Sequence, residues 1–378
     1  MFPCKKVSFL FLAALLSLSS LPCLGAQHTE AAATQSPAGE PAQGSCGKLT
    51  VMTRNMYPGT DFADILAAGD LSTLFVEVAE AFAEVQASDP QSRIEAIAHE
   101  IQTTKPDLIS LQEVALWQTG PFDPQTPATT VAFDYLQLLL AELAEHNLEY
   151  EPVAVLTNLD AEVPALGPSG LFDVHFTDRL VVLIRTDLKK KHQLELGEVE
   201  ARHFSTLLTV PTPTLGPITI PRGYIAADIE RCGESFRFIN AHLESFEEFL
   251  GLPFPFFRFA QATELLQVPA ATGLPVVLAG DFNADAESPT DPTYQLLLSA
   301  GLVDAWEVTN PNDPGYTWPL FLVSPFEYVS PYQRLDLVLT RGAVEATKAK
   351  LVGERDVTPR RPMPSDHAGV VVDLRLMP

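Results

Sequence analysis

"VVLAGDFNADAESP" (Val276–Pro289) begins as a strand fit for a protein core and then changes character. Val276, Val277, Leu278 and Ala279 are apolar, Gly280 follows, and the run ends in Asp281 with Asn283 two residues on. Side chains alternate faces along an extended strand, so Asp281 and Asn283 are expected to point together as long as the extended geometry persists. A core strand that delivers an acid and an amide to one place implies something polar at its end.

The same pattern recurs along the chain. "KLTVMTRN" ends in Asn55, "PDLISLQE" in Glu113 and "SFRFINAH" in His242, with Glu244 two further on. "RLDLVL" carries Asp336 inside an apolar strand, and "PSDHAGVVVDL" enters its strand through Asp366 and His367. For Asp336 alone, the alternative is a solvent-facing salt bridge with Arg334 on the same strand face. Six such segments together supply Asn, Glu, His and Asp, the groups needed to hydrolyse a phosphate ester with a hard divalent cation. Carboxylate and amide oxygens hold Mg²⁺ or a similar ion against the phosphoryl oxygens. A histidine oriented by a carboxylate deprotonates water, and a second histidine or amide donors stabilise the transition state.

Between the β-rich runs lie helical stretches at Leu71–Gln86, Ser92–Thr103, Val131–His146, Gln261–Leu266 and Tyr294–Ala300. In Val131–His146 apolar residues recur at helical spacing, at Phe133, Leu136, Leu140 and Leu143. Pro- and Gly-rich loops are expected at Thr119–Thr129, Pro164–Gly170 and Asn310–Pro331. Ile218–Ile229 and Ser235–Ala241, joined by "ERCGE", predict an antiparallel hairpin. Strand and helix do not alternate strictly, so the expected architecture is an α/β fold, a two-sheet α/β sandwich with outer helices, in one domain over residues 48–378.

The N-terminus reads differently. "MFPCKK" is a basic opening and "VSFLFLAALLSLSSL" an apolar run too short for a comfortable membrane span, followed by "PCLGA". Residues 1–25 are expected to be a cleaved signal peptide and the protein secreted. The alternatives are a retained N-terminal anchor and a lipid-modified Cys23, which Pro22 suits poorly. Residues 26–47, rich in Ala, Pro, Gly and Gln, read as a flexible leader. Of four cysteines, Cys46 and Cys232 remain beyond the signal; a single disulfide and two free thiols both fit. The net charge of −24 gives no long-range attraction to nucleic acid or an anionic bilayer, so a nonspecific DNA-groove binder is disfavoured. A bound cation can supply the local positive charge instead.

In order, "TRN", "LQEV", "NAHLES", "GDFNAD", "RLDLVL" and "SDHAGV" resemble the motifs of the DNase-I-like endonuclease/exonuclease/phosphatase superfamily over Leu49–Leu376. The resemblance implies a two-sheet α/β sandwich with the site above strand ends. It implies a metal site at Asn55 and Glu113, with Asp366 an added metal or phosphate ligand. Asp281 and Asn283 would position the nucleophile and contact phosphate. His367 would be the general base, oriented by Asp336, and His242 would stabilise the phosphoryl group or protonate the leaving oxygen. Asp178, expected just before a strand, resembles the carboxylate that holds the second histidine. Mg²⁺ is the expected ion, with Mn²⁺ or Ca²⁺ as alternatives.

Two segments depart from a compact member: the helical stretch over residues 56–104, where Tyr57 and Asp61 are placed to line the cleft, and "FEEFLGLPFPFFRF" after His242. The substrate is expected to be a phosphodiester, either nucleic acid or phospholipid, with no obligate protein partner. Arg334, Arg360 and Arg361 are the candidates for flanking phosphates and place a nuclease ahead. The phenylalanines of Phe249–Phe259 suggest transient membrane contact by a sphingomyelinase-type member, or a plug for the core. A phosphomonoesterase and a non-catalytic binding module rank lower.

Overall fold

Strands with apolar residues on both faces must be covered on both, and this chain does so in four layers. A computed structural model describes residues 47–246, 251–252, 254–354 and 362–377. One sheet runs in the order Val344–Val352, Gly369–Leu376, Lys48–Asn55, Leu108–Gln112, Gly170–Arg185, Leu116–Pro121, Thr130–Asp134, with Tyr150–Gly167 also paired to Gly170–Arg185. The other runs Val303–Asp304, Asp336–Arg341, Val276–Asp281, Glu234–His242, Gly223–Arg231, Glu195–His203. Leu208–Thr212 and Gly216–Ile220 form a separate hairpin.

Alternation sorts the core. Val51, Phe236, Phe238, Val277, Ala279, Val338 and Val372 meet between the two sheets. Their sequence neighbours face outward: Met52, Ile109 and Val371 pack under helices Leu71–Ala87, Pro90–Thr104 and Tyr135–Glu145. Leu278, Leu337 and Leu339 pack under helices Phe256–Leu265 and Thr293–Ser299. Asp70, Asp89 and Asp134 cap the three longest helices by accepting backbone N–H groups, and Pro90 opens its helix. Among the described residues no helix is long and apolar enough to cross a membrane.

The two-sheet sandwich with outer helices is as the sequence predicts. Several local expectations shift. The helix expected from Val131 begins at Tyr135, because Thr130–Asp134 pairs as a strand. Pro164–Gly170 is not a loop but the end of a long hairpin, Tyr150–Gly167 with Gly170–Arg185. Asp178 therefore lies within a strand rather than before one. The "ERCGE" hairpin pairs Gly223–Arg231 with Glu234–His242, while Ile218 belongs to the separate hairpin. Cys232 is disulfide-bonded; Cys46 lies outside the described residues, as do residues 1–45.

Candidate functional site

The site grows out of the inter-sheet face. Moving along the strands, the apolar layer of Val51, Phe238, Val277 and Val338 gives way to a buried hydrogen-bonded layer. There Gln112 Nε2 donates to Asn240 Oδ1 (2.9 Å), Asn240 Nδ2 donates to the carbonyls of Leu111 and Val181, and Ser110 Oγ donates to the Ala279 carbonyl. Two residues further, the same faces carry Asn55, His242 and Asp281, joined by Asp336. Asp281 lies in register with His242 on one side and Asp336 on the other. Gly280 makes the close strand approach practicable: a Cβ there would lie 2.1 Å from the Ala241 carbonyl oxygen.

His367 Nδ1 is 2.8 Å from Asp336 Oδ2. A carboxylate only accepts, so Nδ1 carries the proton and Nε2 is left facing the site, 3.8 Å from Asp281 Oδ2. Burial pulls the His367 imidazole down, but Asp336, Asp281 and Asp366 outweigh it and hold its pKa well above the ordinary histidine range. Asn55 Nδ2 donates to Asp281 Oδ2 (3.0 Å), and burial with Asp336 nearby pushes the Asp281 carboxyl up to about 6. Two buried arginines fix the loop that bears His367: Arg54 donates to the His367 carbonyl and pairs with Glu100, and Arg93 donates to the carbonyls of Met56, Tyr57 and Pro364.

The second histidine has the opposite surroundings. Arg222 Nη1 lies 2.9 Å from His242 Nδ1 and 3.3 Å from Nε2; a guanidinium only donates, so Nδ1 accepts at the closer contact, and the Asp281 carboxylate beside Nε2 favours the proton there. His242 Nε2 lies 3.5 Å from Asp281 Oδ2. Burial, then Arg222 and His367, hold the His242 pKa well below the ordinary range. Asp178 was expected to hold this histidine; instead Arg222 stands between them, 3.9 Å from Asp178 Oδ2 and 4.0 Å from Glu244 Oε1. Asp178 is buried, accepts from Asn158 Nδ2 (3.1 Å), and leaves Oδ1 without a hydrogen-bond partner. Arg222, which none of the motifs includes, is the group that contacts this histidine.

Asn283 corrects the shared-face argument. The strand stops at Asp281, Phe282 turns into the outer core, and Asn283 takes a left-handed conformation (φ 49°). Its N–H donates to Asp281 Oδ1 (2.9 Å) and its Nδ2 to the Leu243 carbonyl (3.0 Å). Arg334 is also corrected. It is buried, paired with Asp304 and Glu307, and takes no part in the site, so neither the substrate role nor the Arg334–Asp336 salt bridge holds. Arg360 and Arg361 lie outside the described residues.

Glu113 and Asp366 supply the test for a cation. Burial, then the like charges of Asp366 and Asp178, push the Glu113 carboxyl up to about 8. Carboxylates gathered at mutual cost are the donor chemistry a divalent ion satisfies. Asp366 accepts from Trp318 Nε1 (3.2 Å) and Asn55 Oδ1 from the Tyr57 N–H (2.9 Å), which orients both. A second buried cluster, Asp281, Asp336 and His367, brings its potential ligand atoms within 4.8 Å of one another. The Asp336–His367 hydrogen bond within it is the arrangement of an oriented base.

A sequence model of the Endonuclease/Exonuclease/phosphatase family matches residues 80–367. No curated protein sequence matches the chain. Among solved structures, the fold is similar to an endonuclease/exonuclease/phosphatase family protein from Leptotrichia buccalis (15% identity, TM-score 0.53, covering 87% of this chain and 100% of that one). It is similar also to a family protein from Bacteroides thetaiotaomicron (17%, TM-score 0.53, 87% and 98%). A humanized D. rerio TDP2 gives 18% identity and TM-score 0.50, covering 87% and 99%.

Proposed function

Since the chain belongs to the endonuclease/exonuclease/phosphatase family, whose members act on phosphoester bonds, we propose that it is a divalent-metal-dependent phosphodiesterase. The observation that carries this reading is the oriented base: His367 held by Asp336, with Nε2 turned toward Asp281. Glu113, with Asp366 and Asn55, would hold Mg²⁺ or a similar ion, which supplies neutralisation of the phosphoryl oxygens and the leaving oxygen.

The chain's own groups do the rest. Because the neighbouring carboxylates raise the His367 pKa, the neutral ring that can serve as base is populated as pH rises; in that form Nε2 takes a proton from water as the water oxygen bonds to phosphorus, while Asp281 holds that water within reach. The ester P–O bond breaks, and the alcohol leaves with a proton taken from solvent. His242, held neutral beside Arg222, donates an Nε2–H hydrogen bond to a phosphoryl oxygen rather than acting as an acid. Asn283 keeps Asp281 in place through its backbone N–H.

The structure bears unequally on the two substrate classes. The nuclease reading rested on three arginines, and Arg334 is held by Asp304 and Glu307 inside the fold. The phospholipid reading is supported by exposed apolar side chains on two segments. Leu252, Phe254 and Phe256 form one set; Leu322, Val323, Phe326 and Tyr328 form the other, close in sequence to Trp318 beside Asp366. Export through the N-terminal signal is part of the proposal, and sequencing the N-terminus of protein recovered from medium tests it, with a start near Ala26 expected.

Purified protein should hydrolyse bis(p-nitrophenyl) phosphate with Mg²⁺, lose that activity in EDTA, and lose it in His367→Ala with the fold intact. Near-normal turnover by a folded His367→Ala variant overturns the reading. Plasmid nicking with the same metal and His367 requirements would restore the nuclease.

A further inference from the structure

A cavity of about 680 Å³ opens beside the phosphoryl centre, and its lining joins charged groups to a mostly apolar surface. Glu113, Asp178, Arg222 and Asp366 are part of its lining, with Thr60, Asp61 and Ser245 adding polar groups. The remaining wall is largely apolar, and most of it comes from three places far apart in sequence, with Val78 and Ala81 added from the helix Leu71–Ala87. Phe62, Ile65 and Leu66 come from the first short helix and its approach, Leu159, Val163, Val174 and Phe176 from the long hairpin, and Leu215, Ile218 and Ile220 from the short one. Thr214 ties the short hairpin down by donating to the Ala68 carbonyl (2.7 Å). Trp117 and Phe176 close the floor, with ring centroids 4.5 Å apart.

We infer that this cavity takes the hydrocarbon chain of an amphiphilic phosphoester whose phosphate sits among Glu113, Arg222 and the two histidines. The inference rests on the phosphodiesterase reading for the phosphate and adds the substrate's other half. A nucleotide base or a sugar would leave its polar groups facing Ile65, Leu66, Val163 and Ile218 without partners, which costs binding. An alkyl or acyl chain has none to satisfy. An apolar space of this size stays poorly hydrated, so filling it gains dispersion contact along its whole length.

The test is a chain-length series, p-nitrophenyl phosphates esterified with methyl, butyl or octyl alcohol, assayed as monomers with Mg²⁺. The kcat/KM should rise roughly twofold to fourfold per added methylene until the cavity is full. Octyl phosphate should bind tighter than ethyl phosphate by calorimetry in EDTA, where no turnover occurs. Ala161→Phe, which fills the cavity from its wall, should lower the octyl-to-methyl ratio at least tenfold. Leu215→Asp, at a partly exposed turn where refolding of the core is not at stake, should lower the same ratio.

Flat kcat/KM across the series, with bis(p-nitrophenyl) phosphate hydrolysed and no preference for octyl phosphate, overturns the inference and leaves the phosphodiesterase standing. Tighter octyl phosphate binding without any hydrolysis overturns the phosphodiesterase reading and leaves the cavity assignment standing. Comparing phosphocholine release from sphingomyelin vesicles with turnover of the monomeric octyl substrate separates a bilayer source of the chain from a soluble one.

Discussion

The phosphoryl centre and the apolar wall of the cavity beside it are built from different kinds of chain. In the phosphoryl centre, Asn55, His242, Asp281 and Asp336 occupy or adjoin the ends of central strands, and each sits on a face whose preceding residues are already fixed by the inter-sheet core. At the wall, Ile65, Val163 and Ile218 come from a short helix and two hairpins that add to the sandwich. The first region inherits its precision from packing that any member of the fold needs. The second is free to differ, so it is where a substrate's non-reacting half is chosen.

The sharpest way to break that division is at His367. Replacing it with Ala removes the oriented base and should lower kcat by roughly 10³-fold on every substrate, long-chained or short. The octyl-to-methyl ratio should remain, because the wall is untouched. A variant that lost the ratio along with the rate would show that the two regions are one unit.

Arg334 offers a test of the opposite sign. Removing its guanidinium leaves the buried Asp304 carboxylate uncompensated, and Glu307 loses its partner. Arg334→Ala should therefore cost about 3–5 kcal/mol of stability, read by urea denaturation, while turnover by the folded fraction is retained. A selective loss of activity at full stability would return Arg334 to the substrate site.

How far the sequence reaches follows the same division. Six motifs lie on or beside strands whose apolar alternation is local, so the two-sheet fold and the cluster of Asn55, Glu113, His242, Asp281, Asp336 and His367 are legible from short stretches. Asn283 was misplaced because the strand ends one residue earlier than extended geometry assumes, and a left-handed turn takes over. Arg334 was misread because a carboxylate two residues away is a local clue, whereas its partners Asp304 and Glu307 are 30 and 27 residues off. Arg222 carries no motif, yet a signal existed: counting back from the Cys232–Gly233 turn puts Gly223 opposite His242, with Arg222 next to it. Gly223 itself is demanded there, since a Cβ would lie 2.3 Å from the Arg202 carbonyl oxygen. The wall was illegible, because apolar residues from three distant segments share no spacing.

Arg222 belongs to both regions, lining the cavity and contacting His242. Arg222→Gln should lower kcat roughly 10-fold to 100-fold, the range for a group that orients another functional side chain. It should also raise the pKa of His242, because a positive neighbour that disfavours the imidazolium is gone. Titration of the His242 ring by NMR checks the sign. An unchanged His242 with lowered activity would assign Arg222 to direct phosphate contact.

The smallest effect should come from Thr214. Thr214 Oγ1 donates to the Ala68 carbonyl, a single hydrogen bond between segments whose neighbouring residues Leu215 and Leu66 line the cavity. Thr214→Val keeps the shape and removes the donor, so the expected loss is about 1 kcal/mol or less. If that contact only supports the fold, it lowers stability and leaves selectivity alone. If it sets how closely the short hairpin covers a bound chain, KM for the octyl substrate rises while KM for the methyl substrate holds. A difference in KM between the two substrates at equal kcat is therefore the finest measure of whether this tie serves the substrate or the scaffold.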